Sequence, residues 1–200
     1  MKFKYITIER EYGSGGTVIA RRLAEECGIS CYGQEILEAV AKEQNVSVED
    51  IQRSEENVSN SFLYTVYAIG QVQVGNSSIL SPEGKLFVAE HEFIRKSAYN
   101  GPAVYLGHCA SEALKNFKIL KVFIRCQDRE KKAKRVAEEY NIPDNEIERT
   151  CKRFDNKRSR YYHANTMKKW EDMNNYDVVL DSGVLGVDGC VAALKALIQK

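Results

Sequence analysis

The chain has 200 residues, 44% hydrophobic and 28% charged, a composition ordinary for one globular domain with a substantial core. Its 29 basic and 28 acidic residues leave a net charge of +1, which excludes a globally basic nucleic-acid binder and an acidic tail but leaves room for a local basic site. No apolar run approaches the roughly 18–20 residues of a membrane span, and strand-like sequence from Phe3 onward leaves no signal-peptide core, so a cytoplasmic protein with no membrane partner is expected.

Residues 3–8 alternate and are β-rich, which predicts a strand. The loop Gly13-Ser14-Gly15-Gly16 follows. Thr17 to Cys27 then carries apolar residues at 19, 20, 23, 24 and 27, one helical face with Gly28 at the cap position. Gln34–Glu43 reads as a second helix, and Ser47-Val48-Glu49-Asp50 as a capping box opening another. Residues 57–80 are rich in Ser, Asn, Tyr and Gln without a clean period, and read as mobile or partner-facing. A helix is predicted from Ser81-Pro82-Glu83 to about Tyr99, a short buried strand at Ala103–Leu106 and a helix around 109–116. A strand at Ile119–Ile124 and a charged helix at Arg129–Tyr140 come next. Another helix opens at Pro143-Asp144 and carries a basic run, before a last strand at Asp177–Leu180 and a closing helix at Asp188–Gln199. The alternation predicts an α/β fold, a doubly wound sheet of about five parallel strands with helices on both faces and a small helical lid. The expected organisation is one domain over residues 1–200, with a variable segment at about 45–100 and the lid at about 143–170.

Six cysteines are scattered with no CxxC pair, and there are three histidines. Reduced thiols are therefore expected, rather than a disulfide framework or a zinc site.

A strand, a glycine turn and a helix N-terminus together make an anion site, because free backbone N–H groups and the helix dipole converge where glycine lets a phosphate approach. The mononucleotide loop pattern G-x-x-x-x-G-K-[S/T], laid on Arg10–Thr17, matches at Gly15 and at Thr17, the magnesium-binding hydroxyl. It fails at Arg10, where the first glycine should be, and at Gly16, where the lysine should be. The dinucleotide pattern also fails, at Val18. Phosphate binding by Gly13, Ser14, Gly15, Gly16 and Thr17 is the expectation, against a plain strand-to-helix turn. Arg10 is the nearest cation to replace the lysine, ahead of Arg21 and Arg22.

The opening Ile6-Thr7-Ile8-Glu9-Arg10-Glu11-Tyr12-Gly13-Ser14-Gly15-Gly16, with Ile19-Ala20 and Leu23-Ala24, resembles the start of the cytidylate kinase-like family, in which loss of the loop lysine is a habit. Gly101-Pro102 and Val104-Tyr105-Leu106-Gly107-His108-Cys109-Ala110 are similar to the family's strand and the Gly-Arg-Cys-Ala after it. Asp155-Asn156-Lys157-Arg158, Tyr161-Tyr162 and Lys168-Lys169-Trp170 resemble its lid, and Tyr176 to Gly189 its last strand and helix. The chain departs from the family in having His108 in place of an arginine and Gly33-Gln34 in place of Asp-Lys. His163-Ala164-Asn165 is a third departure.

The resemblance implies a five-stranded kinase core and phosphoryl transfer from ATP, with Mg, to a nucleoside monophosphate, CMP or dCMP first. It further implies that Asp155 contacts the acceptor sugar and Arg158 the phosphates. The run Lys152–Arg160 holds five cations in nine residues, and Asp155 and Arg158 share a helical face. Arg153 and Arg160 are expected to assist, with His108 and Arg95 as further acceptor contacts. Arg129, Lys131, Lys132, Lys134 and Arg135 alternate with Glu130, Glu138 and Glu139 and read as a solvated face. Trp170, Tyr161 and Tyr162 read as lid packing. Nucleotides are the expected partners, with no nucleic acid, and residues 57–80 suit an acceptor-side flap or a homodimer contact. The alternatives are a non-catalytic nucleotide-binding module derived from a kinase and, less favoured, a nucleic-acid-binding protein using the basic run.

Overall fold

Alternating Ile6 and Ile8 put one face of strand β1 (Tyr5–Arg10) against helices α1 (Gly16–Cys27) and α7 (Ser182–Gln199), both isoleucines being at most 1% exposed. The computed structural model describes residues 1–49, 51 and 82–199. The reading of 57–80, and most of the helix expected from Ser47, lie outside the described residues.

After α1 come β2 (Ser30–Tyr32), α2 (Gln34–Gln44), α3 (Pro82–Ala98), β3 (Ala103–Leu106) and the single turn α4 (Ala110–Ala113). Then follow β4 (Ile119–Arg125), α5 (Arg129–Tyr140), α6 (Asp144–Thr166), a 3-10 turn at Met173–Asn175 and β5 (Val178–Asp181) before α7. The strands order as β2-β3-β1-β4-β5, and every pair is parallel. The α1 side holds Ile19, Leu23, Val122, Ile124, Cys190 and Leu194, and the opposite side holds Ile94, Tyr105, Ala110 and Leu114. Burial on both faces explains why β3 is apolar at every position. The six cysteines are free, four of them buried. No helix among the described residues is long and apolar enough to cross a membrane.

The doubly wound parallel sheet expected from the alternation is present. One strand has no signal in the sequence: β2 is three residues long and half polar, and it forms by pairing with β3 at the sheet edge. The closing helix starts earlier than its periodicity suggests, with a break at Gly186 (φ 68°, ψ 176°) between its first turn and its body.

β3 and β4 flank β1, so the chain leaves β1 towards opposite edges of the sheet. The crevice at the carboxyl ends of β1 and β3 is where such sheets bind ligands.

Helix α3 buries a histidine. His91 is 7% exposed, its ring lies 3.8 Å from that of Phe87, and its Nε2 has no hydrogen-bond partner among the described residues. Burial, then the charges of Arg95, His108 and Lys115, pull its pKa from 6.5 to about 3. The native state therefore keeps His91 neutral, while the unfolded chain takes up a proton below pH 6.5. Its contribution is complete above that pH and is lost as pH falls towards 3, at about 1.4 kcal/mol per pH unit. The urea midpoint is expected to fall along this slope, and His91→Leu to remove this part of it. An unchanged slope in the variant would assign the acid sensitivity to other groups.

Candidate active site

The loop after β1 is shaped by its own hydrogen bonds. The Ser14 hydroxyl, fully buried, donates to the Glu11 carbonyl at 2.8 Å and accepts from the Gly16 N–H at 3.3 Å. Ser182 Oγ donates to the Ser14 carbonyl at 2.6 Å, which pins the loop to the start of α7. Gly13 has φ 69° and lacks room besides, since a Cβ there would stand 2.5 Å from Val136 Cγ2. Gly15 caps α1 with φ 73° and no side chain, so the first-turn N–H groups can meet an anion. A Cβ on Gly16 would stand 2.6 Å from Arg10 Cβ and 2.8 Å from its Cγ. The stem of Arg10 thus fills the space that a lysine at position 16 would need.

Helix α5 departs from the solvated reading. Lys132 Nζ lies 3.1 Å from the Glu11 carboxylate and 3.8 Å from Asp155. Arg135 Nη1 donates to the Gly13 carbonyl at 2.6 Å, and its guanidinium would be 3.3 Å from a Cβ on Gly15. Lys132, Arg135 and fully buried Val136 share one face, so the helix turns two cations onto the loop while Arg129, Lys131 and Lys134 stay exposed. One buried residue among so many charges is too weak a periodic signal to reveal that face.

Helix α6 rests on the same loop. Its Asp155 Oδ1 accepts from the Tyr12 N–H at 2.6 Å, and Arg158 Nη1 donates to the Arg10 carbonyl at 2.9 Å while lying 3.7 Å from Asp155. Tyr12 is sandwiched between Phe154, with centroids 4.6 Å apart, and Tyr140 at 4.9 Å. Such ring pairs contribute about 0.5–1.5 kcal/mol each beyond their buried area. Burial pushes the Asp155 carboxyl up and draws the Arg158 guanidinium down, each opposed by the other's charge.

A cavity of about 530 Å³ opens beside the loop, between the starts of α1 and α2, the turn after β3, and α6. It gathers Arg10, Thr17, His108 and Arg158 from the expected site residues, with Gly33-Gln34-Glu35 at one wall and Lys157 and Tyr161 at another. Arg10 runs from the loop towards the end of β3, where its Nη1 would be 2.5 Å from a Cβ on Gly107. Arg10, Arg21, Lys157 and Arg158 outnumber Glu9 and Glu35 on its lining, so the cavity favours an anion. The other expected residues lie elsewhere. Asp155 faces the loop backbone, Arg95 is exposed with its Nε donating to the Ala113 carbonyl at 3.2 Å, and Arg153 and Arg160 are exposed.

The turn carrying His108 is strained. Gly107, His108 and Cys109 have φ values of 78°, 55° and 49°, three successive left-handed residues of which two carry a Cβ. Each such residue costs about 1–2 kcal/mol. Strain of this kind persists only where the surroundings over-determine it. Glu9, unremarked in the sequence, lines the cavity and accepts from the indole N–H of Trp170 at 3.2 Å; burial pushes its carboxyl up, against the pull of Arg10. Trp170 and Tyr162 pack in a core with Phe87 and Phe123.

Residues 5–184 match the model of the cytidylate kinase-like family. Among solved structures, the chain is similar to an uncharacterized protein from Eubacterium ventriosum, with 26% identity, 98% of each chain covered and a TM-score of 0.73. It is also similar to a shikimate kinase from Bacteroides thetaiotaomicron, with 11% identity, 98% of each chain and a TM-score of 0.54. A sugar kinase from a Janibacter species shares 12% identity over 98% of this chain and 95% of its own, with a TM-score of 0.54. The last two show a shared fold. A search of the curated proteins finds no match.

Proposed function

Because the chain belongs to the cytidylate kinase-like family, we propose that it transfers the γ-phosphoryl group of ATP to a nucleoside monophosphate or a related small anionic acceptor, CMP and dCMP first. The observation that carries this reading is the cation-rich cavity that meets the glycine loop at Arg10 and Thr17.

The residues fit a nucleotide that brings its own metal. The Thr17 hydroxyl stands at the N-terminus of α1 and lines the cavity, which suits one ligand to a magnesium ion shared with ATP phosphates. That ion, when bound, neutralises phosphate charge. The loop N–H groups hold the β- and γ-phosphates. Arg135, against Gly13 and Gly15, serves the nucleotide side. Arg10 and Arg158 lie between the loop and the acceptor pocket, where charge builds on the moving phosphoryl group. His108 meets the acceptor's phosphate. Helix α6 acts as the lid and shields the transfer from water, which suppresses ATP hydrolysis. Asp155 bonds to the loop in this conformation, so contact with the acceptor sugar requires α6 to shift.

The test is ADP release from ATP and magnesium with CMP, dCMP, UMP, AMP or GMP and with no acceptor. Stimulation by one acceptor above the blank establishes the transfer and names the substrate. Nucleotide binding with no stimulation favours a non-catalytic binding module. Arg135→Ala is expected to raise the KM for ATP about tenfold and to spare that for the acceptor, whereas Arg10→Ala lowers kcat more than tenfold, each the loss of a charge-assisted contact. Equal effects of both variants on both parameters would dissolve this division of labour.

A further inference from the structure

Glu90 of α3 is a fully buried carboxylate that the transfer as described does not use. Its Oε2 accepts from the Tyr161 hydroxyl of α6 and lies 3.4 Å from His108 Nδ1, an ion-pair contact without hydrogen-bond geometry, while its Oε1 has no hydrogen-bond partner among the described residues. A buried carboxylate is kept only where it meets compensating charge or donors. Both groups it meets are on the wall of the acceptor cavity, and one of them is on the strained turn.

From this geometry we propose that Glu90 is a positioning residue: it holds the Nδ1 edge of the His108 ring, favours the protonated imidazole, and leaves Nε2 as the edge offered to an anionic acceptor. The inference rests on the acceptor-site reading above. An arginine at position 108 would carry its charge unaided, whereas a histidine needs a partner to stay charged near neutral pH. Glu90 supplies that partner, and the left-handed turn aims the ring. The Tyr161 hydroxyl, on the lid helix, holds the oxygen that faces His108. Among the described residues, the other charged groups around His108 are Glu9 and Arg10 from β1 and Lys157 and Arg158 from α6, with the neutral but titratable His91 from α3. The cations oppose protonation of the ring and Glu9 favours it, while Glu90 is the carboxylate in ion-pair contact with the ring itself.

The experiment is ¹⁵N-edited NMR of the histidine rings in the full chain without acceptor, across pH 5 to 9, in the wild type and in Glu90→Gln. His108 is expected to be protonated at Nδ1, with its titration midpoint about one pH unit lower in the variant. In the variant the KM for the acceptor should rise about tenfold at pH 7.5, fall back towards the wild-type value near pH 5.5, and leave the KM for ATP unchanged. If the variant does not fold, the wild-type spectrum decides, because an Nε2-protonated neutral tautomer overturns the proposal. An unchanged midpoint in a folded variant also overturns it. The ring titration needs no acceptor, so failure of every monophosphate in the transfer assay leaves this readout intact.

Discussion

Arg158→Ala is expected to lower kcat about 100-fold with a smaller change in the KM for ATP, the size of loss seen when one preorganised donor to a developing charge is removed. Arg158 is committed on three sides before any substrate arrives. It donates to the Arg10 carbonyl, faces Asp155 at 3.7 Å, and lies 5.6 Å from the Tyr12 ring centroid. A guanidinium held in this way needs little reorganisation in the transition state. Its removal also withdraws one of the contacts that seat α6 on the loop, so futile ATP hydrolysis without acceptor should rise relative to transfer. Lysine at 158 should recover only part of the loss, because one ammonium cannot serve the carbonyl and the carboxylate in the same planar geometry. A variant with full turnover and unchanged hydrolysis would remove Arg158 from the mechanism and return it to a packing role.

Gly16→Ala is expected to destabilise the protein by about 1–3 kcal/mol, and Gly16→Lys, which restores the ordinary phosphate-loop residue, to do so without gaining activity. The obstruction is the first side-chain carbon of Arg10, 2.6 Å from the incoming Cβ, and a Cβ cannot rotate away. Relief requires the backbone of β1 to move or Arg10 to lose its stem. The double variant Arg10→Gly with Gly16→Ala should therefore cost less than the sum of its parts, and a thermodynamic cycle from urea melts measures the difference. Additive costs would mean that the loop accommodates the methyl in another way. The loop here is a matched pair, a residue without a side chain at 16 and an arginine at 10, rather than a loop with a missing part.

The legibility of this molecule follows where its signals are local. The glycine loop, the face of α1 and the apolar strands are written in adjacent residues, and each appears where its pattern places it. Proximity across the chain is less visible. Lys132 and Arg135 sit among like-charged neighbours on a helix with little apolar content, and only tertiary packing decides that these two face Gly13. Glu90 is one acid on an ordinary helix until the fold sets His108 and Tyr161 against it. β2 exists because β3 offers it an edge. Asp155 and Arg158 are on one helical face as their spacing indicates, but the spacing is silent on whether that face meets the cavity or the loop, and in the structure it meets both.

The indole of Trp170 gives the site its own optical readout. The chain has one tryptophan, 2% exposed, whose N–H ends on Glu9 at the cavity wall and whose ring lies 5.1 Å from Phe123. Any ligand that draws on Glu9, and any movement of α6 that disturbs the packing of Tyr162, changes the surroundings of this single fluorophore. Stopped-flow emission from unlabelled protein can thus resolve the order in which ligands reach the cavity and whether a movement of α6 precedes or follows them.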